Sequence, residues 1–372
     1  MKYVVVLADG AADTPVKELN GQTPLEAANK PTIDSLARHS EVGMVKTVPN
    51  NLPPGSDVAN LAVFGYDPQK YYTGRSPLEA VSMNVPLELT DTTFRTNLVT
   101  LSDAENYEDK VMVDYSSDEI STEEARELIK YVNEKLGCDE YEFFGGFSYR
   151  HLMVWHNNLM KKSYDILKDH PINKEREARG LHPANSIWIW GNGTKPNLDT
   201  YKERFGIKGA VVSAVDLIKG IGYCAGLDVL EVEGATGNVN TNFDGKAEAA
   251  INALKGDNDF VYIHLEAPDE AGHRHEIENK VKAIELIDQK IVAPILDYLV
   301  NSGEDFSILV MPDHPTPLAT RTHSSEPIPY LLYSSKNKII DSGCSRYTEE
   351  EAKKTGIFNE NGYTLINKLF EK

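Results

Sequence analysis

The sequence predicts an α/β fold around a mostly parallel sheet with helices on both faces, and three observations carry that prediction. Five short apolar runs, at 3–7, 209–213, 260–265, 307–311 and 329–333, read as buried strands because they are apolar at nearly every position and end in polar residues. Helical patterns lie between them, at 23–39, 245–255 and 277–301, and strand alternating with helix is the signature of a parallel sheet. The strand ends carry acidic and imidazole side chains: Asp9 after the first run, Asp269 after the third, and Asp313 with His314 after the fourth. In such sheets ligands gather at the carboxyl ends of the strands, so fold and candidate chemistry coincide.

The middle of the chain breaks the pattern. Strand-like runs at 94–101, 151–155 and 186–190 surround one helical stretch, 122–136, before the core returns at 207–213. At 372 residues the chain exceeds the usual single-domain size. We therefore expect a core domain made of 1–88 and 206–372, with a smaller α+β domain, 89–205, inserted into it.

Composition removes several classes of function. Net charge is −19, which argues against a phosphate-backbone binder, since nucleic-acid binding needs a basic face. No run reaches the roughly 18 apolar residues that a membrane span requires. The apolar start at Val4–Leu7 is interrupted by Asp9 and reads as a strand rather than a secretory leader, so a cytoplasmic enzyme without membrane contact is expected. Three cysteines, Cys138, Cys224 and Cys344, form no CxxC pair and offer neither a disulfide framework nor a thiolate zinc site.

The densest group of chemical residues runs from His264 to His275. Asp269 and His273 lie four apart, on one face of a helical turn, and His323 follows downstream. Carboxylate oxygen with imidazole is a suitable donor set for Mn²⁺, Zn²⁺ and similar ions. A second group pairs Asp313 with His314, and Asp9 adds a carboxylate. The nucleophile candidate is Ser56 in Gly55-Ser56-Asp57-Val58-Ala59-Asn60, where Gly55 permits a tight turn and 57–61 opens a helix whose N-terminus favours an anion. The competing reading of Ser56 is a plain helix N-cap.

With these motifs in view, the chain resembles the cofactor-independent phosphoglycerate mutases of the archaeal type, within the alkaline phosphatase superfamily. The match rests on Leu7-Ala8-Asp9-Gly10, the Ser56 motif, Gly65-Tyr66-Asp67-Pro68, Tyr72-Thr73-Gly74-Arg75, Tyr149-Arg150-His151, 213–222, Pro268-Asp269-Glu270-Ala271-Gly272-His273 and Asp313-His314. The resemblance implies an alkaline-phosphatase-like core and two divalent metal ions. Mn²⁺ comes first, with Zn²⁺, Co²⁺ or Mg²⁺ also compatible, and 2,3-bisphosphoglycerate is not needed. Asp9, Ser56, Asp313 and His314 would hold one ion; Asp269, His273 and His323 would hold the other. Ser56 would take the phosphoryl group from a phosphoglycerate and return it to the other hydroxyl, while closure of the inserted domain excludes water. Matching positions put substrate contacts at Arg75, Arg95, Arg150, His151 and Lys219.

Two departures qualify the match. The chain is short between Trp155 and Ser163, where the family carries a longer stretch with a Pro-Pro-His-Asp segment. In addition, 74–80, 94–100 and 165–171 resemble a subgroup proposed to act as homoserine kinase, so a small-alcohol phosphotransferase is the alternative. No Gly-x-x-x-x-Gly-Lys-Ser/Thr loop is present to bind a nucleotide, which places the mutase first.

Overall fold

The computed structural model of the chain describes residues 1–87, 91–138, 141–153, 159–336, 339 and 341–371. Contacts divide it into two compact units, Met1–Tyr72 with Asn197–Lys372, and Thr73–Pro196. Of the short stretch before Ser163, residues 155–158 lie outside the described residues, and 159–162 belong to the helix Leu159–Leu167.

The first unit holds an eight-stranded sheet. Its centre is parallel, in the order Phe306–Met311, Lys2–Ala8, Phe260–Leu265, Gly209–Val212, Asp228–Leu230. The apolar run at 329–333 belongs to the strand Ile328–Ser334, which runs antiparallel to Phe306–Met311, contrary to the parallel direction expected of it. Glu41–Val45 and Phe358–Asn359 complete that edge.

Period-two alternation explains how helices cover both faces of this sheet. Val4, Val6 and Ala8, with Val261, Ile263 and Leu265 beside them, enter one core with residues of the helices Pro31–Ala37, Phe243–Lys255 and Ile277–Ile287. The opposite face is aromatic. Tyr262 stacks on Phe64 with ring centroids 4.0 Å apart, and Phe260 stacks on Tyr201. Tyr3 meets Phe370 edge-on.

Two of the predicted helices depart from a single regular helix, and proline accounts for both. The 23–39 pattern forms Pro24–Ala27 and Pro31–Ala37, with Lys30 at φ −131 between them, because a residue before proline is pushed out of the helical region. The 277–301 pattern is helical throughout but carries a π-helical turn at Asp288–Val292 just before Pro294, whose missing N–H cannot continue the ladder.

A buried ion pair ties this unit together. Lys280 Nζ lies 2.7 Å from Asp13 Oδ2, with both side chains fully buried, and donates to the Thr316 carbonyl at 2.7 Å. Removing one partner strands the other charge in the interior. Lys280→Met is therefore expected to destabilise the fold by about 3–5 kcal/mol. Urea unfolding checks it, and a loss under about 1 kcal/mol would show that Asp13 finds other compensation.

In the second unit the strand Thr92–Leu101 pairs antiparallel with Arg150–Met153, Ser186–Thr194 and Met112–Asp114, and Phe143–Phe147 adds to the far side of Arg150–Met153. The helix Thr122–Leu136 packs Ala125, Leu128, Ile129 and Val132 against Leu98, Met153 and Ile187. The unit starts before residue 89 because the helix Ser76–Ser82 packs Ala80 on Leu152 of this sheet.

Candidate metal centre

Asp9 and Asp313 are carried past the carboxyl ends of the adjacent parallel strands Lys2–Ala8 and Phe306–Met311. Asp269 and His273 lie on the short helix Ala267–His273, one segment beyond Phe260–Leu265. Strand adjacency thus collects residues that are some 300 positions apart in the chain into one buried region.

Two clusters form there. In the first, Asp9, Asp313 and His314 each present a ligand-type atom within 4.8 Å of the others, and all three are buried. In the second, Asp269, His273 and His323 lie equally close, with Asp269 buried and the two imidazoles half-buried. His314 and His323 bring the clusters together, with ring centroids 4.1 Å apart. Among the described residues a third group of this kind, Asp114, Asp118 and His182, lies in the second unit and is half-buried to exposed.

The hydrogen bonds around these residues leave the correct atoms for a cation. His273 Nδ1 donates to the Arg321 carbonyl at 2.9 Å, which turns Nε2 toward His323 Nε2 at 2.9 Å and Asp269 at 3.3 Å. Thr316 donates its hydroxyl to Asp269, so His314 Nδ1–H donates to Thr316 at 3.3 Å and leaves its Nε2 facing Ser56 and the carboxylates. His264 Nε2 donates to Asp9 Oδ2 at 2.8 Å. The other oxygen, Asp9 Oδ1, is buried with no hydrogen-bond partner. A fully buried polar atom of this kind calls for an explanation, and a bound ion supplies one.

Electrostatics point the same way. Burial and the charges of Asp313 and Asp269 push the Asp9 carboxyl well above its ordinary value. The hydrogen bond that His273 makes to Asp269, with that carboxylate's charge, raises the imidazole to about 9. Burial pulls His264 down to about 3, so it donates as a neutral imidazole. Carboxylates crowded together, with imidazole nitrogens aimed between them, fit divalent cations of the oxygen-and-nitrogen class.

Ser56 opens the helix Ser56–Val63, and the cap position belongs to Gly55, whose backbone is extended at φ −173. The N-cap reading of Ser56 therefore fails. Its Oγ instead lies 3.1 Å from His314 Nε2. One turn later, Asn60 donates to Asp313 Oδ2 at 2.7 Å and accepts from the Tyr262 hydroxyl at 2.6 Å, locking helix and strand end in register. Gly10 is required by closeness: at φ +62, a Cβ there would lie 2.6 Å from Thr316 Oγ1 and 2.7 Å from Asp269 Oδ1.

The chain as a whole is similar to several known proteins. A family model described as the metalloenzyme superfamily matches residues 1–371. A Geobacter sulfurreducens protein named "probable 2,3-bisphosphoglycerate-independent phosphoglycerate mutase" is 46% identical, with 100% of both chains covered. The 2,3-bisphosphoglycerate-independent phosphoglycerate mutase of Methanosarcina barkeri is 46% identical over 96% of each. The chain belongs to the 2,3-bisphosphoglycerate-independent phosphoglycerate mutase family. It is also similar to the solved structure of PH0037 from Pyrococcus horikoshii, at a TM-score of 0.86 and 33% identity over 99% of this chain and 97% of that one.

In this member of the mutase family the five candidate substrate contacts divide. Arg75, Arg95 and Arg150 belong to the second unit. Arg95 and Arg150 share one face of its sheet, since Asn97, two residues from Arg95, pairs directly with Arg150. His151 pairs with Thr96 and so lies on the opposite face, away from Arg95 and Arg150. There its Nδ1 accepts from the Gly146 N–H at 3.0 Å, and burial holds it neutral, down to about 3. Lys219, in the first unit, is held by both oxygens of Glu231 at 2.8 Å.

Sequence reasoning about this mutase missed Asn60, Thr316 and the role of His264. His264 opens the His-rich run, and Asn60 sits one helical turn after Ser56, so both carried a signal. Thr316, two residues past His314, carried none.

Proposed function

We propose that the chain interconverts 3-phosphoglycerate and 2-phosphoglycerate through a phosphoserine on Ser56, with Mn²⁺ as the first-choice ion. The observation that carries the proposal is the Ser56 hydroxyl, buried at the head of its helix and 3.1 Å from His314 Nε2 in the Asp9–Asp313–His314 cluster. The full-length likeness to proteins named as phosphoglycerate mutases supplies the substrate.

Asp9, Asp313 and His314, with Ser56, would hold one ion, and Asp269, His273 and His323 the other. Bound there, the ions lower the pKa of the serine hydroxyl and neutralise charge on the transferring phosphoryl group. Ser56 Oγ attacks phosphorus and the bond to the substrate oxygen breaks. That oxygen leaves as a glycerate hydroxyl, taking up the proton that the serine gave. In the return step the other glycerate hydroxyl attacks the phosphoserine and Ser56 regains its proton, so neither water nor a nucleotide is consumed. The positive end of the Ser56–Val63 helix favours the phosphoryl charge. Arg75, Arg95 and Arg150 supply the cationic donors that a carboxylate and a phosphate require. Excluding water from the phosphoserine is what makes the chemistry that of a mutase rather than a phosphatase. Three free thiols suit a reducing cytoplasm.

³¹P NMR with 3-phosphoglycerate and Mn²⁺, without nucleotide, checks the reading. The expected result is a growing 2-phosphoglycerate signal. A spectrum that stays unchanged, followed by turnover with homoserine and ATP, would replace the mutase with the small-alcohol phosphotransferase.

A further inference from the structure

The helix Ser76–Ser82 places a carboxylate among the arginines of the second unit. Glu79 Oε1 accepts from Arg75 Nε at 2.9 Å, and Glu79 Oε2 lies 3.0 Å from Arg95 Nε. Its side chain is only 12% exposed, and that of Arg95 only 9%. The helix is anchored on the Arg95 face of the sheet, through Ala80 against Leu152, the residue paired with Arg95. Arg150, also on this face, acts on both Glu79 and Arg95 by its charge.

A single carboxylate gripping two guanidiniums through their Nε atoms does more than neutralise charge. It fixes both planes in direction, because the guanidinium fork is rigid and Nε–H points one way only. It also offsets the mutual repulsion that would otherwise drive two partly buried cations apart. Burial, together with Arg75 and Arg150, pulls Arg95 down to about 10 against the opposing pull of Glu79.

We infer that Glu79 is a positioning residue for substrate recognition: it holds Arg75 and Arg95 side by side as a preorganised receptor for an anionic group of the substrate. The inference rests on the phosphoglycerate mutase reading and adds to it a residue that never touches the substrate. Two simple views then oppose each other. If the arginines acted only as a pool of positive charge, removing Glu79 would make the site more cationic and tighten an anion. If Glu79 positions them, removing it disperses the pair and weakens the anion.

The test uses the metal-loaded full chain and 3-phosphoglycerate, with melting temperature and metal content measured for each variant. Glu79→Gln presents an amide that accepts from one arginine and turns its own N–H groups on the other. Its KM is expected to rise about tenfold or more while kcat changes less than about threefold. An unchanged or lower KM overturns the inference. If Glu79→Gln does not fold, Glu79→Asp keeps the charge but withdraws it by one methylene, and a wild-type KM there overturns the inference equally. In an Arg75→Gln background, Glu79→Gln is expected to add less than about threefold, since half of what it holds is already gone. A full tenfold addition would show that Glu79 acts elsewhere. The wild type run in parallel separates the two failures: no 2-phosphoglycerate from it overturns the mutase reading and the role of Glu79 together, whereas conversion by the wild type with an unaffected variant overturns Glu79 alone.

Discussion

Ser56→Ala is expected to reduce kcat by about 10⁴-fold or more, because it deletes the only atom proposed to accept the phosphoryl group. The fold should barely register the change. The Ser56 hydroxyl meets His314 Nε2 and does not cap its helix, since Gly55 holds the cap position. Loss of one such hydrogen bond costs about 1 kcal/mol. Asp9, Asp313 and His314 remain in place, so metal content should stay close to that of the wild type. The measurement is turnover of 3-phosphoglycerate beside metal analysis and thermal melting. Turnover surviving in a folded, metal-loaded Ser56→Ala protein would remove the phosphoserine from the mechanism. Loss of metal together with turnover would instead make Ser56 chiefly a ligand.

Exhaustive chelation is expected to silence the enzyme and to lower its melting temperature, and Mn²⁺ or Co²⁺ to restore both. The structural effect follows from the buried charge. Asp9 and Asp313 are almost wholly enclosed, and burial, with the neighbouring carboxylates, already pushes Asp9 well above its ordinary pKa. Cations relieve that crowding only in the folded state, so they stabilise it by mass action. At a free concentration of a thousand times Kd the gain is about 4 kcal/mol per site. Melting curves with and without metal measure this directly, independently of turnover. Full activity in protein shown by elemental analysis to be metal-free would end the two-metal reading.

Much of the core was legible in the sequence because fully buried strands announce themselves as continuous apolar runs. Val4–Leu7 and Phe260–Leu265 are buried on each face and apolar at nearly every position, and the one imidazole among them, His264, lies at the strand end where it meets Asp9. The helix Thr122–Leu136 was equally plain, since Ala125, Leu128, Ile129 and Val132 recur at helical spacing. Strand direction was less accessible. The run at 329–333 is as apolar as its parallel neighbours, yet it pairs antiparallel, and direction depends on where the connecting chain returns rather than on the run itself.

At the site, residue type and local spacing determined the candidates. Asp269 and His273, four apart, must share a helical face, and Asp313 followed by His314 at a strand end offered two adjacent donors. The tertiary structure decided which atoms of these residues are held and which are left facing inward. Only adjacency of the strands ending at Ala8 and Met311 brings Asp9 to Asp313. Only the hydrogen bond from His264 occupies one oxygen of Asp9 and leaves the other unsatisfied. The second unit shows the same division. Arg95, Arg150 and His151 were equally plausible substrate contacts as letters in a sequence, but antiparallel register sends His151 to the opposite face, and packing of the helix Ser76–Ser82 on the sheet brings Glu79, already one helical turn from Arg75, to Arg95. Sequence by itself determined the chemical inventory and the local periodicities, because these depend on neighbours along the chain. Pairing register and burial selected from that inventory, because they depend on contacts between segments hundreds of residues apart.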